Sequence, residues 1–111
     1  RCGILAPAIK FIETSYSDSS ITNKTLADLC NISEIYFRRQ FKTKFGITPK
    51  QYMLNVRLQR AKQLLLDGRY KINTISEECG FTSQYHFSRI FREKVGKSAT
   101  EFIKENRTYK I

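Results

Sequence analysis

Residues Thr48–Gly68, TPKQYMLNVRLQRAKQLLLDG, read as one unbroken helix. Thr48 suits the capping position, Pro49 the first helical position, Gln51 completes a T-x-x-Q capping box, and Gly68 can close the helix in a left-handed conformation. At about 100° per residue its apolar side chains form two groups. Leu54, Leu58, Ala61 and Leu65 lie on one side, with Tyr52, Met53, Val56 and Leu64 roughly opposite. A surface helix needs one apolar stripe. Two stripes predict that this helix packs against two bodies, one on each side.

Upstream, Leu5, Ile9, Ile12 and Tyr16 recur at helical spacing, which predicts a helix over Leu5–Tyr16 with Pro7 in its first turn. The polar run SYSDSS, residues 15–20, breaks it. Thr22 then caps a short helix carrying Leu26, Ala27, Leu29 and Cys30, and Asn31 follows as a residue that tolerates a left-handed turn. Ser33 caps a second helix running to about Lys44, with Gly46 beyond its end. Phe37, Phe41 and Phe45 line one face of it, and Ile35, Arg38, Arg39, Lys42 and Thr43 the other. Two helices joined by a short turn, the second basic on its outer face, have the layout of a helix-turn-helix.

Downstream the pattern recurs. Ile72 and Ile75 begin a short helix ending at Cys79, Gly80 makes the turn, and Ser83 caps a helix with Phe87, Ile90, Phe91 and Val95 inward. Its outer face shows Tyr85, Ser88, Arg89 and Arg92, with Gln84 and His86 at the leading edge. Ser98 and Glu101 form a capping box for a last helix docked by Phe102 and Ile103, and a frayed tail is expected from Asn106 to Ile111. The two halves align as an internal repeat, LADLCNISEI-YFRRQFKTKFGITPKQY against ISEECGFTSQYHFSRIFREKVGKSATEF, with one extra residue in the second copy near Tyr85. Leu26 matches Ile75, Cys30 matches Cys79, Phe37 matches Phe87, Arg39 matches Arg89 and Phe41 matches Phe91. The expected architecture is therefore all-α, about seven helices, with a first helix-turn-helix subdomain over 1–47, a central helix over 48–68 and a second subdomain over 69–111.

Composition narrows the function. The 111 residues are 41% hydrophobic and carry a net charge of +10, enough apolar material to fold and a strong positive excess. Between Glu34 and Asp67 no acidic residue occurs, while Arg38, Arg39, Lys42, Lys44, Lys50, Arg57, Arg60 and Lys62 all fall there. A folded, acid-free basic block favours a polyanion partner, nucleic acid ahead of a membrane surface. No apolar run approaches the ~18 residues of a membrane span and no segment resembles a secretory signal, so an intracellular setting is expected. A start at Arg1 rather than Met suggests a fragment or processed piece. Cys2, Cys30 and Cys79 are odd in number and lack C-x-x-C spacing, which argues against a disulfide framework or zinc site. The repeat makes Cys30 and Cys79 small core residues. Neither a Gly-rich phosphate loop, a metal cluster nor a nucleophile-base set is present, so no enzyme, metal or cofactor is expected.

Paired helix-turn-helix units around a central helix, with GFTSQYHFSRIFREKVG in the second and FRRQFKTKFGITPKQY after the first, resemble the DNA-binding region of the AraC/XylS family of bacterial transcription regulators. The resemblance covers about Leu5 to Ile103. The sequence departs from the family pattern at Asn31, where the first turn usually has Gly, and at Ala99, where Pro usually follows the second Gly-x-Ser. The resemblance implies sequence-specific binding of double-stranded DNA and regulation of transcription in the bacterial cytoplasm, at the nucleoid. It also implies contact with RNA polymerase and a separate effector-binding or dimerisation domain in a longer chain. A non-specific or architectural nucleic-acid binder is the alternative, disfavoured because the outer faces of the two units do not match.

A recognition helix reads base edges with its N-terminal residues, while basic side chains and the helix N-terminus hold phosphates. In the first unit this places Ile35, Arg38 and Arg39 at the bases, the arginines suited to guanine and Ile35 to a thymine methyl. In the second unit the resemblance marks Gln84, Tyr85, His86 and Arg89 as base- or backbone-contacting. Ser33, Lys42, Ser83 and Arg92 are the expected phosphate contacts. His86 is the only histidine, which leaves it a DNA contact or a surface residue and not a metal site. Phe37, Phe41, Phe87 and Phe91 lie opposite the arginines at i, i+4 spacing, the pattern of core residues and not of stacking platforms. About 18 residues at 1.5 Å each make the central helix roughly 27 Å long, close to the ~34 Å between major-groove segments on one face of a duplex.

Overall fold

The computed structural model describes residues 2–107, with side chains over 3–106. Among the described residues it contains seven helices and no strand: α1 (Cys2–Ser15), α2 (Asn23–Leu29), α3 (Glu34–Phe45), α4 (Pro49–Asp67), α5 (Ile72–Glu78), α6 (Gln84–Val95) and α7 (Ala99–Arg107). They group into two compact units, Arg1–Val56 and Arg57–Ile111, and the division falls inside α4.

The first unit closes around α1, α2, α3 and the opening turns of α4. Leu5, Ala8 and Ile12 of α1, Leu26 and Ala27 of α2, Phe37 and Phe41 of α3, and Met53 of α4 form one buried cluster, with Cys30 at its edge. Phe37, Phe41 and Phe45 run along α3 with centroids 5.6 and 4.6 Å apart, and Tyr52 meets the Phe41 ring edge-on at 5.4 Å. Each fully buried aromatic contributes about 1.5–3 kcal/mol from removed apolar surface, so this ladder fixes α3 on its neighbours. Leu29, read among the apolar residues of α2, is 40% exposed, because the buried arc runs through Leu26, Ala27 and Cys30 and at ~100° per residue Leu29 lies about 110° from its centre.

The second unit repeats the plan with the rest of α4, then α5, α6 and α7. Leu58, Ala61, Leu64, Leu65, Ile75, Cys79, Phe81, Phe87 and Phe91 are buried. Phe87 stands between Phe81 and Phe91 at 5.0 and 5.5 Å, and Phe102 of α7 meets Phe91 edge-on at 5.6 Å. Where the first unit has Ala27 the second has Ser76, 1% exposed, whose hydroxyl donates to the Asn73 carbonyl at 2.8 Å and so avoids an unsatisfied buried group. Cys79 lies in this core, and burial pushes its thiol up to about 11, outweighing the lowering effect of Arg60.

Capping chemistry set most boundaries. Thr48 and Gln51 satisfy each other's backbone N–H groups at 3.1 and 3.0 Å, Pro49 is the first residue of α4, and Gly68 ends it at φ 83°. Ser98 and Glu101 form the same box at α7. The backbone hydrogen bonds here hold the Glu101 carboxyl below its usual range. The turn in each unit uses a left-handed residue, Asn31 at φ 57° and Gly80 at φ 87°. Asparagine reaches that region at modest cost, which is why the departure at Asn31 leaves the turn intact.

Four expectations need correction. Pro7 lies inside α1 and not in its first turn, because the helix begins at Cys2; Pro7 brings no amide hydrogen for the carbonyl four residues back, an early position where the loss breaks a single hydrogen bond. Asn106 is helical, its amide donating to the Phe102 carbonyl at 2.8 Å, so α7 runs on to Arg107; the rest of the expected tail, 108–111, lies outside the described residues. Leu64 shares an angular position with Tyr52 and Met53, but the helical rise carries it into the second unit's stretch of α4. Finally, the extra residue of the second repeat is Thr82, in the turn, and not a neighbour of Tyr85. Ser33 and Ser83 are equivalent N-caps, accepting from the N–H groups of Tyr36 at 3.1 Å and His86 at 3.0 Å. Before the turn, Ile32 N–H donates to the Ala27 carbonyl as Phe81 N–H does to that of Ser76. An insertion within the helix would rotate every later side chain by about 100°, whereas a turn absorbs it.

Candidate nucleic-acid interface

The N-caps put the two outer helices in one register. Counting from Ser33 and Ser83, the first helical position holds Glu34 and Gln84, the second Ile35 and Tyr85, the fifth Arg38 and Ser88, the sixth Arg39 and Arg89, and the ninth Lys42 and Arg92. All ten side chains are exposed, whereas the phenylalanines at the fourth and eighth positions are fully buried. The same aromatic ladder that anchors each helix thus turns these positions outward.

On α3, Ile35 is 63% exposed and stands beside cations. Arg38, Arg39 and Lys42 take part in no ion pair among the described residues. Their charge is available to a partner at no cost of breaking internal contacts. Lys42 and Lys44 also sit in the last turn, where cations suit the carbonyl end of the helix. Ser33 and Ser83 each accept one backbone hydrogen bond as caps, which leaves the hydroxyl hydrogen to donate.

On α6, Tyr85 is 79% exposed, the largest bare aromatic surface described. It lines a shallow depression with Ser88, Arg89, Arg92 and Glu93. Arg89 is not bare as Arg39 is: its guanidinium lies 3.9 Å from the Glu93 carboxylate one turn on. His86 sits apart from this surface. It is half-buried, its ring lies 5.9 Å from Phe81 edge-on, and its Nδ1 is 3.4 Å from the Thr82 hydroxyl.

The structure therefore brings Ile35, Arg38, Arg39 and Lys42 together on one helix, and Gln84, Tyr85, Arg89 and Arg92 on the other. The spacing placed Ser88 on the outer face without giving it a contact and did not place Glu34 there; both are exposed, at positions equivalent to Arg38 and Gln84 respectively. The two serine caps supply the signal that finds them, because counting from a cap fixes helical phase.

A family model described as a helix-turn-helix domain matches residues 26–105, both units included. A probable transcriptional regulator, LumQ of Photobacterium leiognathi, is 38% identical over 77 residues, covering 69% of this chain and 31% of its own length. A solved transcriptional regulator of the AraC-type DNA-binding class, from Chromobacterium violaceum, superposes with a TM-score of 0.81 at 29% identity, over 93% of this chain and 91% of that one. The chain belongs to the AraC-type helix-turn-helix family. A second solved structure, the C-terminal domain of AraT, a response regulator from Geobacillus stearothermophilus, superposes with a TM-score of 0.87 at 28% identity, over 92% of this chain and 84% of that one. The chain spans about a third of the length of the curated relatives it matches. The AraC-type family and fold are those of DNA-binding domains of transcription regulators and not of enzymes. Among the described residues no helix is long and apolar enough to cross a membrane, and no three His, Cys, Asp or Glu side chains are grouped to hold a metal ion.

Proposed function

We propose that this chain is the duplex-reading part of a longer bacterial transcription regulator, with α3 and α6 as recognition helices in successive major grooves. The observation that carries this reading is the pair of serine-capped helices whose reading positions are equivalent but whose side chains differ. Ile35 faces Tyr85 in that equivalence and Arg38 faces Ser88. A binder of backbone alone needs cations and shape, not an exposed isoleucine and tyrosine at matched places. In this reading Arg38, Arg39 and Arg89 contact guanine edges, Gln84 contacts adenine, and Ile35 and Tyr85 lie against thymine methyls or sugar. Ser33, Lys42, Ser83 and Arg92 hold phosphates. His86, leaning on Phe81, serves at the margin of the second helix. The remaining length of the regulator supplies the effector-binding or dimerisation domain, and the bacterial relatives support a cytoplasmic setting.

Selection from a pool of random duplexes tests the proposal. The expected motif has two unlike half-sites about one helical turn, ~10 base pairs, apart. Recovery of no motif would leave only backbone binding, and a palindromic motif would rule out two unequal readers in one chain.

A further inference from the structure

The two arginines at the sixth helical position differ in one respect that the proposed function does not use. Arg39 has Thr43 one turn beyond it, and Arg89 has Glu93. Glu93 lies on the outer face of α6, in the depression that also holds Tyr85, Ser88, Arg89 and Arg92. An acid there is a cost: it repels the phosphates that the face attracts. It does not recover that cost as stability, since Arg89 and Glu93 are 51% and 58% exposed, and exposed i, i+4 pairs contribute little.

We propose that Glu93 is a positioning residue for Arg89, biasing its guanidinium toward base contact, an influence that Arg39 lacks. This rests on the reading that α6 faces DNA. A bidentate contact with guanine needs the guanidinium plane held in one orientation, but a long arginine side chain visits many and can swing to a phosphate. The Glu93 carboxylate, 3.9 Å from one terminal nitrogen of Arg89, pairs with it by charge without a hydrogen bond, drawing that nitrogen toward the next turn and leaving the other donors for the base. It also makes a swing to phosphate unfavourable by placing a negative charge beside the path. Discrimination between bases is gained and general affinity for DNA is reduced.

The experiment measures binding of the 111-residue chain to its selected site and to every single-base variant of it, for the parent, E93Q, R89A and the double variant, across a salt series. R89A identifies the base pair read by Arg89 as the position whose discrimination is lost. E93Q is expected to lower discrimination at that same position by roughly tenfold, to tighten binding to unrelated duplexes, and to steepen the salt dependence by about one unit of slope. In the R89A background E93Q should change discrimination nowhere. If R89A flattens one position and E93Q leaves it as sharp as in the parent, or E93Q tightens all duplexes equally with and without Arg89, the positioning role is wrong while the DNA-facing role of α6 stands. Should R89A itself change no position, α6 does not read bases and the underlying proposal fails with it.

Discussion

Tyr85 and Phe87 are two residues apart on α6 and should respond oppositely to truncation. Tyr85 is 79% exposed and Phe87 is 0% exposed between Phe81 and Phe91. Phe87→Ala removes a buried ring and leaves a cavity, a loss of about 3–5 kcal/mol. A unit of this size has roughly 3–8 kcal/mol of stability at ~0.05–0.15 kcal/mol per residue, so the variant should lose from about a third to all of the second unit's stability. Tyr85→Ala removes a side chain that touches little of the protein, and stability should stay within about 0.5 kcal/mol of the parent. Its effect should appear on DNA. An aromatic side chain of ~150–200 Å² at ~25 cal/mol per Å² sets a ceiling of about 4–5 kcal/mol if fully buried in the groove. Ordering and desolvation costs reduce that to about 1–3 kcal/mol, a loss of roughly 5- to 150-fold in affinity for the selected site. Urea unfolding followed by circular dichroism reads the first quantity, and duplex titration at fixed salt reads the second. A Tyr85→Ala protein that loses more than ~1.5 kcal/mol of stability, or binds its site as tightly as the parent, would refute the outward assignment of this face.

Lys42→Ala should weaken binding to all duplexes evenly and reduce the salt slope by about 1, measured by titration between low and high salt. The two capping boxes should differ in pH response. Glu101 has a lowered carboxyl pKa in the folded protein, so its contribution is present above the ordinary carboxylate range and is lost as pH falls through the folded value. Melting temperatures of the parent and of Glu101→Gln should therefore converge as the pH falls below the ordinary carboxylate range and through the lowered folded value, while the parent's advantage over Gln51→Ala at α4 should persist there, since Gln51 does not titrate. Cys79, with its thiol pushed up to about 11 by burial, should react with a thiol reagent at neutral pH only as fast as the second unit opens, checked by comparing labelling with unfolding rates.

Much of this molecule is written in short-range chemistry. Serine and threonine caps, the capping boxes and the left-handed residues after each helix act through backbone groups a few residues away, so their positions announce where Ser33, Thr48, Ser83 and Ser98 begin helices. The i, i+4 spacing of Phe37 with Phe41 and of Phe87 with Phe91 likewise fixes which side is core and, by elimination, which arginines face outward. The helix-turn-helix repeat and the basic outer faces follow from these alone, because local hydrogen bonding and apolar periodicity leave a linear trace.

Tertiary structure decided matters of phase and partner that leave no such trace. Aligned letter by letter, the repeat puts its extra residue beside Tyr85; in three dimensions the strain of an insertion falls on the turn at Thr82, and Tyr85 takes the place of Ile35. His86 is outward by helical angle but half-buried by contact with Phe81, a residue of the preceding turn. Leu64 matches Met53 in angle and yet serves a different unit, because rise along a helix separates what rotation superposes. Whether an arginine stands bare, like Arg39, or beside a carboxylate, like Arg89, depends on the side chain one helical turn away and on its rotamer. Residue type and spacing determined that these helices form and which way they face; the closing of each core determined which side chains at their surface stand exposed.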